Sequence, residues 1–127
     1  MTMRMAGPTG YLAGIRTTLG VAALAAPRVT SRVFGVDPVR QPVIPYLARL
    51  FGIRDVVLAL GLARIDDLRS PRGFLLVNVL VDVTDAASGL AAGRRRELPR
   101  VTTVMVTVPA VVAAGLGVAA ILERTRG

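Results

Sequence analysis

Four stretches of the chain are apolar over most of a helix's length, and polar or proline-rich breaks separate them. The clearest is the last. From Val101 to Leu122 there is no charge, with Arg100 on one flank and Glu123 and Arg124 on the other. A membrane-crossing helix needs about 20 mostly apolar residues, so 101–122 is predicted as a span. Pro109 inside it is expected to kink the helix, which lipid tolerates when a neighbouring helix satisfies the freed carbonyl. A third segment covers 73–93, between the turn Ser70-Pro71-Arg72 and the stop Arg94-Arg95-Arg96. The second covers 43–63 and is opened by Pro42 and Pro45. The first covers 10–26, ends at Pro27, and is short, Ala-rich and interrupted by Arg16.

The links 64–72 and 94–100 are short enough to join antiparallel neighbours. The longer link 28–42, with Phe34-Gly35 and Asp37-Pro38, is predicted to lie along the membrane surface. No internal repeat, low-complexity tract or second domain is visible. The expected architecture is all-α: residues 1–127 as one four-helix transmembrane bundle. Two rivals are weaker. Residues 1–26 mimic a secretory signal, with Arg4, an apolar run and Ala23-Leu24-Ala25, but Arg16 interrupts the run. A soluble bundle has no means of hiding 101–122, which is apolar on every face.

Composition points the same way. Of 127 residues, 53% are apolar and only 19% charged, with a mean hydropathy of +0.59; an average soluble domain has about 25% charged residues. A chain this short leaves much of its surface uncovered, and there is too little polar surface here to meet water all round. A multi-pass location in the cell membrane is expected, with the lipid bilayer as the first partner. There is no cysteine and no histidine. That excludes disulfide frameworks, thiol nucleophiles, haem ligation through His and Ser–His or Cys–His catalysis, and no metal or cofactor is expected.

The net charge of +8 raises the question of nucleic acid. Its distribution argues against that partner: there is no Trp, aromatics are few, and many arginines cluster at segment ends, where they meet anionic headgroups. All basic residues are Arg, in a background of Ala, Val, Gly and Leu, the bias of a GC-rich bacterial genome. Orientation is balanced. Arg4, Arg64, Arg69, Arg72, Arg124 and Arg126 fall on one side, against Arg28, Arg32, Arg40, Arg94, Arg95, Arg96 and Arg100 on the other, so the positive-inside rule does not choose.

The informative residues are polar ones inside the apolar segments: Arg16, Arg49, Arg54, Asp55, Asn78, Asp82 and Asp85. A charge at the bilayer centre costs at least ~2.5–3.5 kcal/mol, so three cations and three anions are expected to pair or to line a polar cavity. Asn78, Asp82 and Asp85, spaced four and three apart, share one helix face. Ser88 borders that stripe, and Gly89 continues it. The opposite side carries Leu76, Val79, Leu80, Val83 and Leu90, suited to lipid. Arg54 and Asp55 point about 100° apart, so each must look beyond its own helix, Arg54 towards the acids of the third. Arg49, with Tyr46 nearby, and Arg16 lie near their helix starts and are expected to snorkel to the interface.

Pro27, Phe34-Gly35, Tyr46-Leu47, Arg49, Gly52-Ile53-Arg54-Asp55, Leu58, Gly61, Asp82 and Asp85 together resemble the small four-helix membrane proteins of the uncharacterised domain-of-unknown-function family 4267. The resemblance spans most of the chain and implies a four-helix integral membrane fold, with no activity attached. Gly73 to Leu80 is also similar to the second-helix motif of small fluoride channels. Here, however, Thr102-Thr103 continues into Val104-Met105, without the phenylalanine break of those proteins, and the aspartates repel an anion.

Three functions compete on these residues. The first is a lipophilic-ligand-binding protein or accessory membrane subunit built on Arg54, Asp55, Asn78, Asp82, Asp85, Ser88 and Arg49, with Arg54 holding an oxyanion or carboxylate. Its partners are a lipophilic small molecule, another membrane protein or a second copy of the chain. The second is an intramembrane acid–base isomerase or cyclase, with Asp55, Asp82 or Asp85 as the catalytic group. The third is an ion or proton pathway. Against all three stands a purely structural role, in which buried Arg–Asp pairs do no more than fix helix register.

Overall fold

The computed structural model describes residues 7–126, so Arg4 lies outside it. The described residues form five α-helices and no strand: α1 (Pro8–Ala25), α2 (Pro27–Val33), α3 (Val43–Ala63), α4 (Pro71–Arg94) and α5 (Arg100–Arg126). A single 3-10 turn, Ile65–Asp67, lies between α3 and α4. The all-α expectation holds at that level. Two of the helices, α4 and α5, are long and apolar enough to cross a membrane. The other two long helices fall short of that measure for a chemical reason. Arg16, Thr17 and Thr18 dilute α1, and Arg49, Arg54 and Asp55 put three charges into α3.

Local chemistry sets the boundaries. Ser70, expected in a turn, is the N-cap of α4. Its Oγ accepts from the Gly73 N–H at 3.1 Å, and Pro71 occupies the first turn, where its missing N–H costs nothing. Pro27 likewise opens a helix, where the sequence pattern predicts only a link. The chain leaves helical geometry at Ala26, and the Thr30 hydroxyl of α2 donates to the Ala22 carbonyl of α1 at 2.9 Å. Gly35 closes α2 at φ 83, with the Val36 N–H on the Ser31 carbonyl at 2.9 Å. This left-handed ending favours glycine. Helix α5 continues through Pro109.

Helix α1 packs along α3 and α4 along α5, and α1 also rests on α5. Small residues allow the close approaches. Gly20 faces Gly52 between α1 and α3, Gly89 and Gly93 face Thr107 and Thr103 of α5, and Gly117 accepts Val79 of α4. Val79, half-buried, is therefore in part an interhelical contact. Helices α3 and α4 approach at few backbone positions despite their short connection, and side chains bridge the gap between them. The molecule is layered along its length. An apolar core of Leu12, Leu62, Ile65, Leu75, Ala113 and Ala120 lies at the end that holds the 3-10 turn. A charged layer crosses the middle, and a cavity occupies the remainder towards α2.

Candidate functional site

The charged layer is built around Arg16, in the middle of α1 and only 3% exposed. Its guanidinium donates in three directions: Nε to Asn78 Oδ1 at 2.7 Å, Nη2 to Asp82 Oδ2 at 2.7 Å and Nη1 to Asp55 Oδ1 at 3.4 Å. One side chain of α1 thus ties α3 to α4. The planar fork of arginine suits this arrangement, since its N–H groups diverge at fixed angles. Asn78 uses its other end locally, Nδ2 donating to the Phe74 carbonyl at 2.9 Å. Its orientation is thereby set before Arg16 reaches it.

A second pair lies beside the first. Arg54 donates from Nη1 and Nη2 to the two Asp85 oxygens at 3.2 and 2.7 Å, a two-point contact across the α3–α4 gap. Phe51, one turn earlier, stacks its ring 4.8 Å from the Arg54 guanidinium carbon, a cation–π arrangement that also shields the pair. Arg54 is 36% exposed at its side chain. Its Nη2 also comes within 3.7 Å of Asp55 Oδ1, an ion pair without a hydrogen bond, made possible by the length of the arginine chain. Its hydrogen bonds nevertheless go to the acid of α4, as the angle between neighbouring Arg54 and Asp55 predicts.

Above this layer opens a half-open cavity of about 420 Å³. Arg16, Arg54, Asp55, Asp82 and Asp85 contribute to its floor. Its walls are mostly apolar, with Leu19, Ala48, Phe51, Met105, Val106 and Ala110 among them. Ser88 lines it from α4, while Asn78 lies below, behind Arg16. From α5 comes Thr102, 3% exposed, whose Oγ1 has no hydrogen-bond partner; Arg54 Nε is likewise buried and unpartnered.

Two sequence expectations change. Arg16 does not snorkel; it is the centre of the cluster. Arg49 is exposed on α3, joins none of these pairs and does not line the cavity, so the assumed balance of three cations against three anions fails. Arg54 is engaged with Asp85 through both of its terminal nitrogens. Thr102 had no signal beyond being a hydroxyl in an apolar run. Arg49→Gln is therefore expected to shift stability by less than about 0.5 kcal/mol, as for surface positions generally, in detergent-titrated unfolding of the purified protein.

Comparison of the chain with family models, curated proteins and solved structures finds no match.

Proposed function

We propose that the chain is a small integral membrane protein with four spans, α1, α3, α4 and α5, whose cavity binds a lipophilic molecule by its polar group. The observation that carries this reading is the cavity itself: apolar walls above a floor of ion-paired side chains, beside a gap between two helices. A ligand site of this size range is mostly apolar, with a few convergent polar groups. Polar groups at bilayer depth are tolerated where they face the interior and pair, and that is how Arg16, Arg54 and their partners sit.

The spans beyond α4 and α5 are supported by the outer surface. Leu47, Leu50, Ile53, Val57 and Leu60 of α3 and Tyr11 and Val21 of α1 are exposed, continuous in kind with Leu76, Leu80, Val104 and Val111 of the two apolar helices. Exposed apolar area on that scale marks a surface covered by lipid or a partner. Pairing inside the protein offsets the charges that lower the apparent hydropathy of α1 and α3. Membership of family 4267, implied by the Gly52-Ile53-Arg54-Asp55 element and the Asp82/Asp85 pair, belongs to the same proposal.

Two measurements test it. The expressed protein should stay in membranes through alkaline carbonate washing; release into the supernatant contradicts the four spans. Mass spectrometry of small molecules that copurify in detergent should find an amphiphile with the wild type that is at least tenfold depleted in Ala110→Phe, which fills the cavity. Identical profiles from the two folded proteins contradict ligand binding.

A further inference from the structure

The charge balance of the cavity floor names the class of molecule it takes. Two guanidiniums, Arg16 and Arg54, face three carboxylates, Asp55, Asp82 and Asp85, and Arg49, which would even the count, lies outside. The floor therefore holds one acid more than it holds guanidiniums, a formal balance of one negative charge. The pairing distances show where it falls. Asp82 has Arg16 at 2.7 Å, and Asp85 has both nitrogens of Arg54. Asp55 has what remains: Arg16 at 3.4 Å and Arg54 at 3.7 Å, both on the same oxygen. It is 2% exposed and lines the cavity.

An anion entering this site meets more acids than guanidiniums. The terminal nitrogens of both guanidiniums already face carboxylates, and Arg54 Nε is the one guanidinium nitrogen of the floor with no hydrogen-bond partner at all. A cation meets the opposite situation. Helix α5 brings no charge to the cavity; its polar contribution is Thr102, nine-tenths buried and with an Oγ1 lone pair unclaimed. Among the described residues no group of acids forms a metal site. Resting on the ligand-binding proposal, we infer that the cavity takes an amphiphilic ammonium: a protonated amine against Asp55, with its apolar chain along Leu19, Ala48, Phe51, Met105 and Val106. Complementary charge selects the head group, and the walls select the tail.

The test compares three probes of equal chain length, decylamine, decanol and decanoate, titrated at pH 7 into the full-length protein in a neutral maltoside detergent. Uptake by protein-free micelles is subtracted. At this pH an alkylamine is protonated and a fatty acid ionised. Decylamine is expected to bind saturably, one per chain and at least tenfold more tightly than decanol, with decanoate weakest. Asp55→Asn should bring decylamine to the affinity of decanol. Decanoate binding as tightly as decylamine, or a folded Asp55→Asn protein with unchanged amine affinity, overturns the assignment. Should that variant not fold, the order of the three probes on the wild type still decides. If none of the three binds saturably to folded protein, the ligand-binding reading itself falls. Displacement of decylamine by phosphatidylethanolamine marks a lipid headgroup as the natural source and its absence marks a free amine; both results uphold an ammonium site.

Discussion

Replacing Arg16 by leucine is expected to cost roughly 3–5 kcal/mol, the range for removing one member of a buried ion pair, and to leave little folded protein at room temperature. The reason is the set of partners the substitution strands. Asp82 loses its 2.7 Å partner, Asp55 its nearer cation, and the Asn78 amide oxygen its donor, all three nearly sealed from solvent. Lysine is no rescue. It carries a single ammonium, and the three acceptors lie on two helices in the divergent directions of a guanidinium. Arg16→Lys should recover less than half of the loss. A triple replacement, Arg16→Leu with Asp55→Leu and Asp82→Leu, should recover more than Arg16→Lys, because apolar side chains of similar volume often match or exceed a buried ionic group in stability. The check is the midpoint of unfolding in mixed detergent micelles, followed by circular dichroism. A folded Arg16→Leu protein within about 1 kcal/mol of wild type, far less than a broken buried pair should cost, means that the cluster does not hold α1, α3 and α4 together.

The same residue shows where reading along the chain stops. The α4 stripe was legible because offsets of four and three are enough to gather Asn78, Asp82 and Asp85 on one face, and Asn78, Asp82 and Gly89 are indeed buried. The partnership of Arg54 with an acid on α4 was legible by elimination, since its nearest neighbour on α3 points elsewhere. Arg16 and Arg49 looked equivalent: lone arginines near the start of apolar helices. Depth and face separate them. With α1 beginning at Pro8, Arg16 lies about 12 Å along the axis, at 1.5 Å per residue, whereas a later start brings it nearer the interface. Arg49 is six residues from Asp55, which turns it about 120° away at 100° per residue. That angle was available from the sequence and would have removed Arg49 from the charge balance.

Helix α2 was not legible for a different reason. Seven residues, Pro27–Val33, are too few to show a period, and Pro27 can end the preceding helix as readily as it can begin a new one. The two long helices that fall short of the spanning measure, α1 by hydropathy and α3 by its charges, illustrate a general limit. A sum over side chains counts Arg16, Arg54 and Asp55 as cost, whereas the fold sets them against one another. Which small residues serve packing is equally illegible along the chain, because glycine is abundant here and only packing tells Gly117, in contact with Val79, from Gly115, which faces open space.

Gly52 is the position where a single added carbon should do most damage without touching any charge. A Cβ there would lie 2.7 Å from the Gly20 carbonyl oxygen and 3.0 Å from the backbone nitrogen of Leu24, atoms of α1 that have no rotamer to adopt. Overpacking typically costs about 1–3 kcal/mol, against a gain of about 0.8–1 kcal/mol in helix propensity on replacing glycine by alanine. The steric term wins because the obstructing atoms are main chain. Gly52→Ala should therefore destabilise by up to about 2 kcal/mol, and Gly52→Leu should approach the loss of Arg16. Gly14→Ala is the matched control. It lies on α1 with nothing within 4 Å of its added carbon, so only the propensity gain applies and the unfolding midpoint should rise or stay level. The two large effects are coupled, since Gly52 and Asp55 lie on the same stretch of α3 that meets α1. Pushing the helices apart at Gly52 withdraws Arg16 from Asp55, so part of the stabilisation that Arg16→Leu removes is already gone. In a double-mutant cycle, Gly52→Ala with Arg16→Leu should lose less than the sum of the two, by an interaction of about 0.5–1 kcal/mol, the lower part of the range for coupled sites. Strict additivity would mean that the close α1–α3 crossing and the ion cluster stabilise the protein independently, and that the crossing is not what brings Arg16 to its acids.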